Sequence, residues 1–185
     1  MLLLVLRFRA KGLMVGIFAE FLFDVPPVVY EIDPEKHTAN IIGHGNAPIS
    51  FTSYEESATF LIQNTYSSMG NFVVAILLQP AETRNKVIRV EGQQSSWDEI
   101  ISILEKLQGT KYSVKYTSIV EAEPIEEDAW EDGNPAAFRL NLRRCMGTGN
   151  AKLEPVDNGM FPEVKVTTDL EAIAKKTLIK KGLLQ

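Results

Sequence analysis

The residues of this 185-residue chain that could do chemistry are few and widely spaced. Cys145 is the single cysteine, which excludes an intrachain disulfide and a cysteine-rich zinc site. Its neighbours Arg143 and Arg144 could lower its pKa, but a lone cysteine in a helical pattern is typical of a structural residue. His37 and His44 are seven positions apart in turn-rich sequence, which is not metal-ligand spacing on one helix face.

Seven carboxylates crowd into residues 121–132, and such a density suggests a metal site. The run lacks the spaced Asp and Asn ligands and the mid-loop glycine of a calcium loop, and no histidine lies near it. A solvated helix face or an exposed linker is the favoured interpretation, and we predict no metal site. The seven are Glu121, Glu123, Glu126, Glu127, Asp128, Glu131 and Asp132.

The segment Gly43-His-Gly-Asn46 contains the Gly-x-Gly of a phosphate loop. It has no third glycine at the required spacing, Pro48 stands where a helix would begin, and a strand-like run follows. Glycine and asparagine supply the positive φ angles of a tight turn. The pattern therefore predicts a hairpin or bulged turn between strands at 38–42 and 48–52.

Hydride transfer with a nicotinamide needs a phosphate cradle, a ribose contact and usually a proton donor. The Tyr-x-x-x-Lys pattern of short-chain dehydrogenases is absent, because no tyrosine is followed by a lysine four positions later. No Gly-x-Ser-x-Gly nucleophile elbow is present either. We predict no catalytic residue in this chain; the tyrosines tested are Tyr30, Tyr54, Tyr66, Tyr112 and Tyr116.

Composition predicts one α/β domain, with 45% hydrophobic and 23% charged residues. The net charge of −5 argues against non-specific nucleic-acid binding. The apolar runs Met1–Leu6 and Gly12–Phe23 are each shorter than the roughly 20 residues of a membrane span. We interpret Leu2–Phe8 as a buried strand and the second run as a partly buried helix or loop, and we expect a cytoplasmic protein.

Helical patterns occur in four places. Residues 69–79 are apolar nearly all round, which predicts a buried helix that stops at Pro80. Ser96-Trp-Asp-Glu99 is a capping box, with Gly109 placed to end its helix. Residues 136–146 form a third helical pattern. Thr168-Asp-Leu-Glu171 is a second capping box, and its apolar stripe (Leu170, Ile173, Ala174 and Leu178) is expected to dock onto the sheet of the same chain.

Short strand patterns occupy residues 86–90 and 112–119, with the alternation and β-branching of half-buried strands. No internal repeat or low-complexity tract is visible.

Three segments in order resemble NmrA-like and isoflavone-reductase-like proteins, which are atypical short-chain dehydrogenases. They are Gly16-Ile-Phe-Ala-Glu-Phe21, the run from Ile42 to Thr52, and Asn158-Gly-Met-Phe-Pro162. The resemblance covers residues 12–181 as several weak motifs. It implies an incomplete Rossmann-like sheet with the substrate-binding α+β region of such an enzyme, in a single domain of residues 1–185.

By this resemblance Gly16, Phe18 and Phe21 line a substrate pocket, although both phenylalanines could equally be core residues. The cofactor implied is NADP(H). The family's nucleotide-binding half and catalytic lysine have no counterpart here, because only fifteen residues precede Gly16, too few for a βαβ unit. We therefore expect a truncated chain that is inactive alone and binds no cofactor tightly.

The resemblance implies an NADP(H)-dependent oxidoreductase of small aromatic or polyketide-like molecules. The alternatives are a redox-sensing regulatory or binding module of the NmrA-like type and a truncated product without function. Expected partners are a small-molecule substrate and a protein partner or second copy at an exposed sheet edge, with neither nucleic acid nor membrane. Residues 58–68 interrupt the family pattern, and we interpret them as an insertion; a lineage-specific loop is the alternative.

Overall fold

The computed structural model describes residues 11–53, 68–166 and 168–184. The strands are β1 Gly12–Val15, β2 Ile17–Phe18, β3 Ile32–Asp33, β4 Thr38–Ile42, β5 Ile49–Thr52, β6 Val87–Val90, β7 Gln93–Ser95 and β8 Ser113–Thr117. The helices are α1 Ala19–Asp24, α2 Ser68–Leu78, α3 Trp97–Gln108, α4 Ile119–Glu131, α5 Ala136–Gly147 and α6 Leu170–Lys180. The strand predicted at 2–8 and all of the suggested insertion except Ser68 lie outside the described residues.

Parallel pairings dominate the strands and confirm the predicted α/β class. β1 pairs with β6, β2 pairs with β5, and β4 pairs with β8, all in parallel. β3 and β7 add antiparallel edges to β4 and β5. β1 and β2 are separated by Gly16 alone, so one extended segment takes part in two pairings.

The hairpin predicted between residues 38–42 and 48–52 is wrong, although both strands form. β4 belongs with β3 and β8, whereas β5 belongs with β2 and β7. Gly43 and Gly45 do take the positive φ angles expected of them, +93° and +82°. The turn fails to close a hairpin because the Gly43 amide donates to the Thr117 carbonyl at the end of β8 instead. The sequence therefore predicted the positive φ angles of the turn correctly, whereas contacts with distant strands decided which strands β4 and β5 pair with.

The apolar run Gly12–Phe23 forms two strands before its helix, so the prediction of a helix or loop is only partly correct. The strands form because β6 and β5 supply backbone partners that a single sequence does not reveal. The helix, α1, ends at Asp24, two residues before Pro26, which cannot continue it.

Two hydrophobic clusters form among the described residues. The larger packs α1, α3 and α6 around Phe51, Trp97 and Leu104. The smaller packs α2 on the β1–β6 pair through Phe72, Ile88 and Phe161. The prediction that α2 is buried all round is only partly correct, because Leu77 and Leu78 near its end are 50% and 76% exposed.

Helix termini show where local signals suffice. The capping box of Ser96 and Glu99 forms, and Gly109 ends α3 in the left-handed conformation. The second predicted box is wrong: Asp169, not Thr168, caps α6 by accepting from the Ala172 amide at 3.0 Å. Thr168 instead accepts from the Ser53 amide.

The apolar stripe of α6 is buried as predicted, but it packs against α1 and α3 rather than against a sheet. At its end, the ammonium group of Lys181 donates to the Phe23 carbonyl of α1. No helix within the described ranges is both long and apolar enough to cross a bilayer.

Candidate functional site

The carboxyl ends of the parallel strands define the candidate site. β1 and β2 end at Val15 and Phe18, while β5 and β6 end at Thr52 and Val90. Because the pairings of β1 with β6 and of β2 with β5 are parallel, these ends lie toward the same side. In open α/β sheets, ligands bind outside the carboxyl ends of strands.

Gly16 allows the backbones of this site to come together. A Cβ atom added to it would lie 2.3 Å from the Ser50 carbonyl oxygen and 2.7 Å from the Phe51 amide nitrogen. Only glycine fits such a contact between two main chains. Gly16 therefore shapes the site through its missing side chain.

The two phenylalanines predicted to line a pocket sit at the start of α1. Phe18 is half-buried and is the residue that precedes the first turn of the helix. Phe21 lies in α1 with 47% of its surface exposed, so its interpretation as a core residue is wrong. Gly16 lies against Ser50 and Phe51 of β5, Phe18 pairs with Thr52, and Phe21 has an exposed aromatic surface on α1.

A buried polar pair lies beside these aromatic residues. The hydroxyl of Ser53 donates to the carboxylate of Glu20, and the two residues are only 8% and 4% exposed. The Ser53 amide also donates to Thr168 Oγ1 at 3.0 Å. This pair connects the first turn of α1, the end of β5 and the segment that leads into α6.

A second polar group covers the end of β6. The hydroxyl of Ser50 donates to the carboxylate of Glu91, and the Leu153 amide donates to the same hydroxyl oxygen at 2.9 Å. Asn158 bonds both backbone groups of Glu91, accepting from its amide at 3.0 Å and donating to its carbonyl at 2.7 Å.

The Asp157 carboxylate accepts from the Arg89 amide at 2.8 Å, and the backbone amide of Asp157 donates to the Arg89 carbonyl at 2.6 Å. Residues 157 and 158 thus satisfy the outer edge of β6, which would otherwise present open backbone groups.

Thr52 has a buried hydroxyl without a hydrogen-bond partner in the structure, the sole such side-chain atom among the described residues. Ser50 precedes it by two positions, so the two side chains leave β5 on the same face. Buried hydroxyls normally find partners, and an unpaired one is a common sign of a site that a ligand or water completes.

The two carboxylates of the candidate site each accept a hydrogen bond from a serine hydroxyl, Glu20 from Ser53 and Glu91 from Ser50. Burial raises the pKa of Tyr30 to about 12 and also raises the pKa of Tyr112. A raised pKa makes each phenol a weaker acid at neutral pH.

The other residues considered for chemistry in the sequence, Cys145, His37 and the acidic run 121–132, have ordinary packing or surface contacts. Cys145 is half-buried in α5 with Asn141 as its neighbour, and the His37 ring contacts the edge of Tyr112. Six of the seven acidic residues are exposed on α4 or just after it, but Glu126 is buried, in contrast to the solvated face expected of the whole run. Within the described segments, no three potential metal-ligating side chains come together.

Glu20, Ser53 and Glu91 were not singled out from the sequence. For Glu20 a signal existed, because it is the sole charged residue in the apolar run Gly12–Phe23. For Ser53 and Glu91 no local pattern distinguishes them from ordinary loop residues.

No protein-family model and no curated protein sequence matches the chain. Solved structures do match it. An isoflavone reductase is similar over 89% of this chain, with 20% identity and a TM-score of 0.63. A Citrobacter sp. triphenylmethane reductase complexed with NADP(H) is similar over 88%, with 16% identity and a TM-score of 0.55. A protein crystallised with NADP+ and (+)-pinoresinol is similar over 90%, with 19% identity and a TM-score of 0.59.

The chain covers 51% of the length of each of these three structures. At these identities the likeness establishes the fold, which is that of isoflavone-reductase-like structures. The resemblance found in the sequence motifs is thereby confirmed for the fold.

Proposed function

We propose that this chain forms the substrate-side part of an NADP(H)-dependent reductase that acts on a small aromatic or polyketide-like molecule. Gly16, Phe18 and Phe21 would line its substrate pocket. The proposal is supported by the fold likeness to an isoflavone reductase and to two structures that contain NADP(H) or NADP+. The proposed enzyme is cytoplasmic, and this chain corresponds to about half the length of the matched reductase structures.

The observation that carries the proposal is the exposed ring of Phe21 near the buried Glu20–Ser53 pair, at the carboxyl ends of parallel strands. Aromatic side chains contribute most of the contact energy in small-molecule pockets, and a few polar groups fix orientation. Phe21 would contact an aromatic ring of the substrate through the 47% of its surface that is exposed.

In this proposal, the contacts to NADP(H) come from the part of the reductase that the matched residues do not include. The chain alone would then bind the cofactor weakly and would not turn over substrate. Its own residues would position the substrate ring and exclude water from it.

The test is ligand binding to the chain, with (+)-pinoresinol as the probe and saturation-transfer NMR as the readout. Phe21→Ala should weaken binding about three- to tenfold, which corresponds to the loss of one aromatic contact. Phe138→Ala is the matched control, because Phe138 is also an exposed phenylalanine near a helix start, at 65%. Equal weakening by both variants, or an affinity that Phe21→Ala leaves unchanged, would contradict the assignment of the pocket.

A thermal-shift measurement with NADPH tests the cofactor statement. A ligand that binds only the native state raises the melting temperature. Because the chain alone is proposed to bind NADPH weakly, no stabilisation is expected. A shift of several degrees would place cofactor contacts within this chain and overturn that part of the proposal.

A second candidate, a regulatory or binding module, is favoured by one feature. α4 combines exposed carboxylates with an exposed tryptophan, a surface suited to a protein partner. Such a binding module would act without converting a substrate.

A further inference from the structure

The hairpin of α4 and α5 is joined by a seam of polar contacts on one side. Glu126 accepts from the side-chain Nδ2 of Asn141 at 2.7 Å and from Arg144 Nε at 2.6 Å. Arg144 also approaches Glu123, one turn earlier in α4, at 3.9 Å. Because later residues of α5 meet earlier residues of α4, the helices run antiparallel.

Trp130 and Phe138 lie beyond this seam, toward the connection between the helices. Trp130 is one turn after Glu126 and directs its indole N–H to that carboxylate at 3.4 Å, while Phe138 is one turn before Asn141. Both rings are therefore at the same level of the hairpin. They are 55% and 65% exposed, and such large aromatic side chains exposed together are typical of interaction surfaces.

Exposed carboxylates flank these rings. Glu123, Glu127 and Glu131 follow one another at four-residue spacing and so form a row on one face of α4. Trp130 lies next to this row by the same helical geometry. Among residues 11–53, 68–166 and 168–184, no ion pair engages Glu127 or Glu131. The α4–α5 surface comprises these five exposed residues: Glu123, Glu127, Trp130, Glu131 and Phe138.

We propose that the α4–α5 surface binds a basic amphipathic segment of a second protein. Lysine and arginine side chains of that segment pair with the row of carboxylates, and its apolar side chains cover Trp130 and Phe138. The sign of the charge decides against other macromolecules, since nucleic acids and anionic membranes would be repelled. A symmetric second copy would bring two acidic rows together, which is also unfavourable. This interaction is separate from the proposed reductase activity.

The test uses the two tryptophans of the chain as separate reporters. The full chain is labelled with 5-fluorotryptophan, and the 19F resonance of Trp130 is assigned with Trp130→Phe. Trp97 is only 2% exposed and serves as the internal reference. The probe is a synthetic peptide of about 18 residues, five helical turns, with lysine and leucine on opposite faces. A peptide of the same composition in scrambled order is the control for charge alone.

The expected result is a shift of the Trp130 resonance, an unmoved Trp97 resonance, and binding at least about tenfold tighter for the amphipathic peptide than for the scrambled one. Phe138→Ser should weaken amphipathic-peptide binding about tenfold. Val28→Ser, at another exposed apolar position, should leave it unchanged. Binding should weaken as salt rises from about 0.05 to 0.5 M.

Three outcomes would overturn the proposal. Equal binding of the two peptides would show a charge effect without a built surface. An unmoved Trp130 resonance at peptide saturation would place binding elsewhere. A dimer in light-scattering measurements that Phe138→Ser dissociates would assign the surface to a second copy of the chain.

Discussion

The Ser53 hydroxyl donates a hydrogen bond to the Glu20 carboxylate, and both side chains are removed from solvent. The residues are 33 positions apart, one in the first turn of α1 and the other directly after β5. A buried carboxylate is costly unless it is hydrogen-bonded, so this contact determines how α1 and β5 meet at the candidate site.

Ser53→Ala should destabilise the protein by about 1–3 kcal/mol, because it leaves the buried Glu20 carboxylate with fewer donors. The measurement is urea unfolding followed by circular dichroism. Ser102→Ala is the matched control: this exposed serine of α3 bonds its own helix at the Asp98 carbonyl, and its loss should change stability by less than about 0.5 kcal/mol. Equal effects of the two changes would show that the Glu20 contact contributes nothing specific.

Gly16→Ala should cost about 2–3 kcal/mol or prevent folding, since the new methyl group would overlap the backbone of β5. Gly12→Ala provides the comparison. A Cβ atom at Gly12 would meet nothing within 4 Å, and this glycine has no positive φ angle. Its replacement should be neutral or stabilising by up to about 1 kcal/mol. Thermal unfolding of both variants measures the difference, and a tolerated Gly16→Ala would disprove the close approach.

Asp169→Ala should destabilise the protein by about 1 kcal/mol through loss of the helix cap on α6. Glu171→Ala would be the more damaging change if the capping box predicted from the sequence existed. Within the part of the chain that the structure describes, Glu171 forms an exposed ion pair with Lys106, worth less than about 1 kcal/mol. Chemical denaturation of the two variants decides between these caps, and a larger loss from Glu171→Ala would favour the box.

The hydrogen bond from Arg144 lowers the pKa of Glu126 below its ordinary value. A carboxyl group whose pKa is lower in the folded state stabilises that state above the unfolded pKa, about 4.3, and loses this contribution as pH falls through the folded pKa. Glu126→Gln should therefore cost about 1.5–3 kcal/mol at pH about 7, and the difference should shrink below pH about 4. Urea unfolding across this range is the measurement.

Glu127→Gln is the control for Glu126, because Glu127 is exposed on the same helix. It should have almost no effect at any pH. A Glu126→Gln penalty that persists unchanged in acid would show that packing, not charge, is lost.

Local signals in the sequence were sufficient for most elements. The β-prone run 38–42 and the alternation in 86–90 and 112–119 predicted strands that form, although β8 ends at Thr117 and Ile119 already belongs to α4. The Ser96–Glu99 box and Gly109 marked both ends of α3. These succeed because a cap or an alternating strand depends on residues close in sequence. The cap of α6 was misplaced by one residue, because Thr168 is engaged by Ser53, more than a hundred positions away.

The site was predictable only in part. The motif around Gly16 predicted Phe18 and Phe21 as pocket residues, which stays a prediction, and the structure shows that Phe21 is exposed. The polar pair was not predictable, since Ser53 becomes a partner of Glu20 only when β2 pairs with β5.

The sequence by itself determined the α/β class, the acidic character of residues 121–132 and the glycine that the close backbone contact requires. Tertiary structure decided which strands pair, where α6 docks and which single acidic residue of that run is buried. The physical reason is the same in each case. Composition and periodicity fix what each segment can form, whereas hydrogen bonds and burial between distant segments select which of those possibilities is realised.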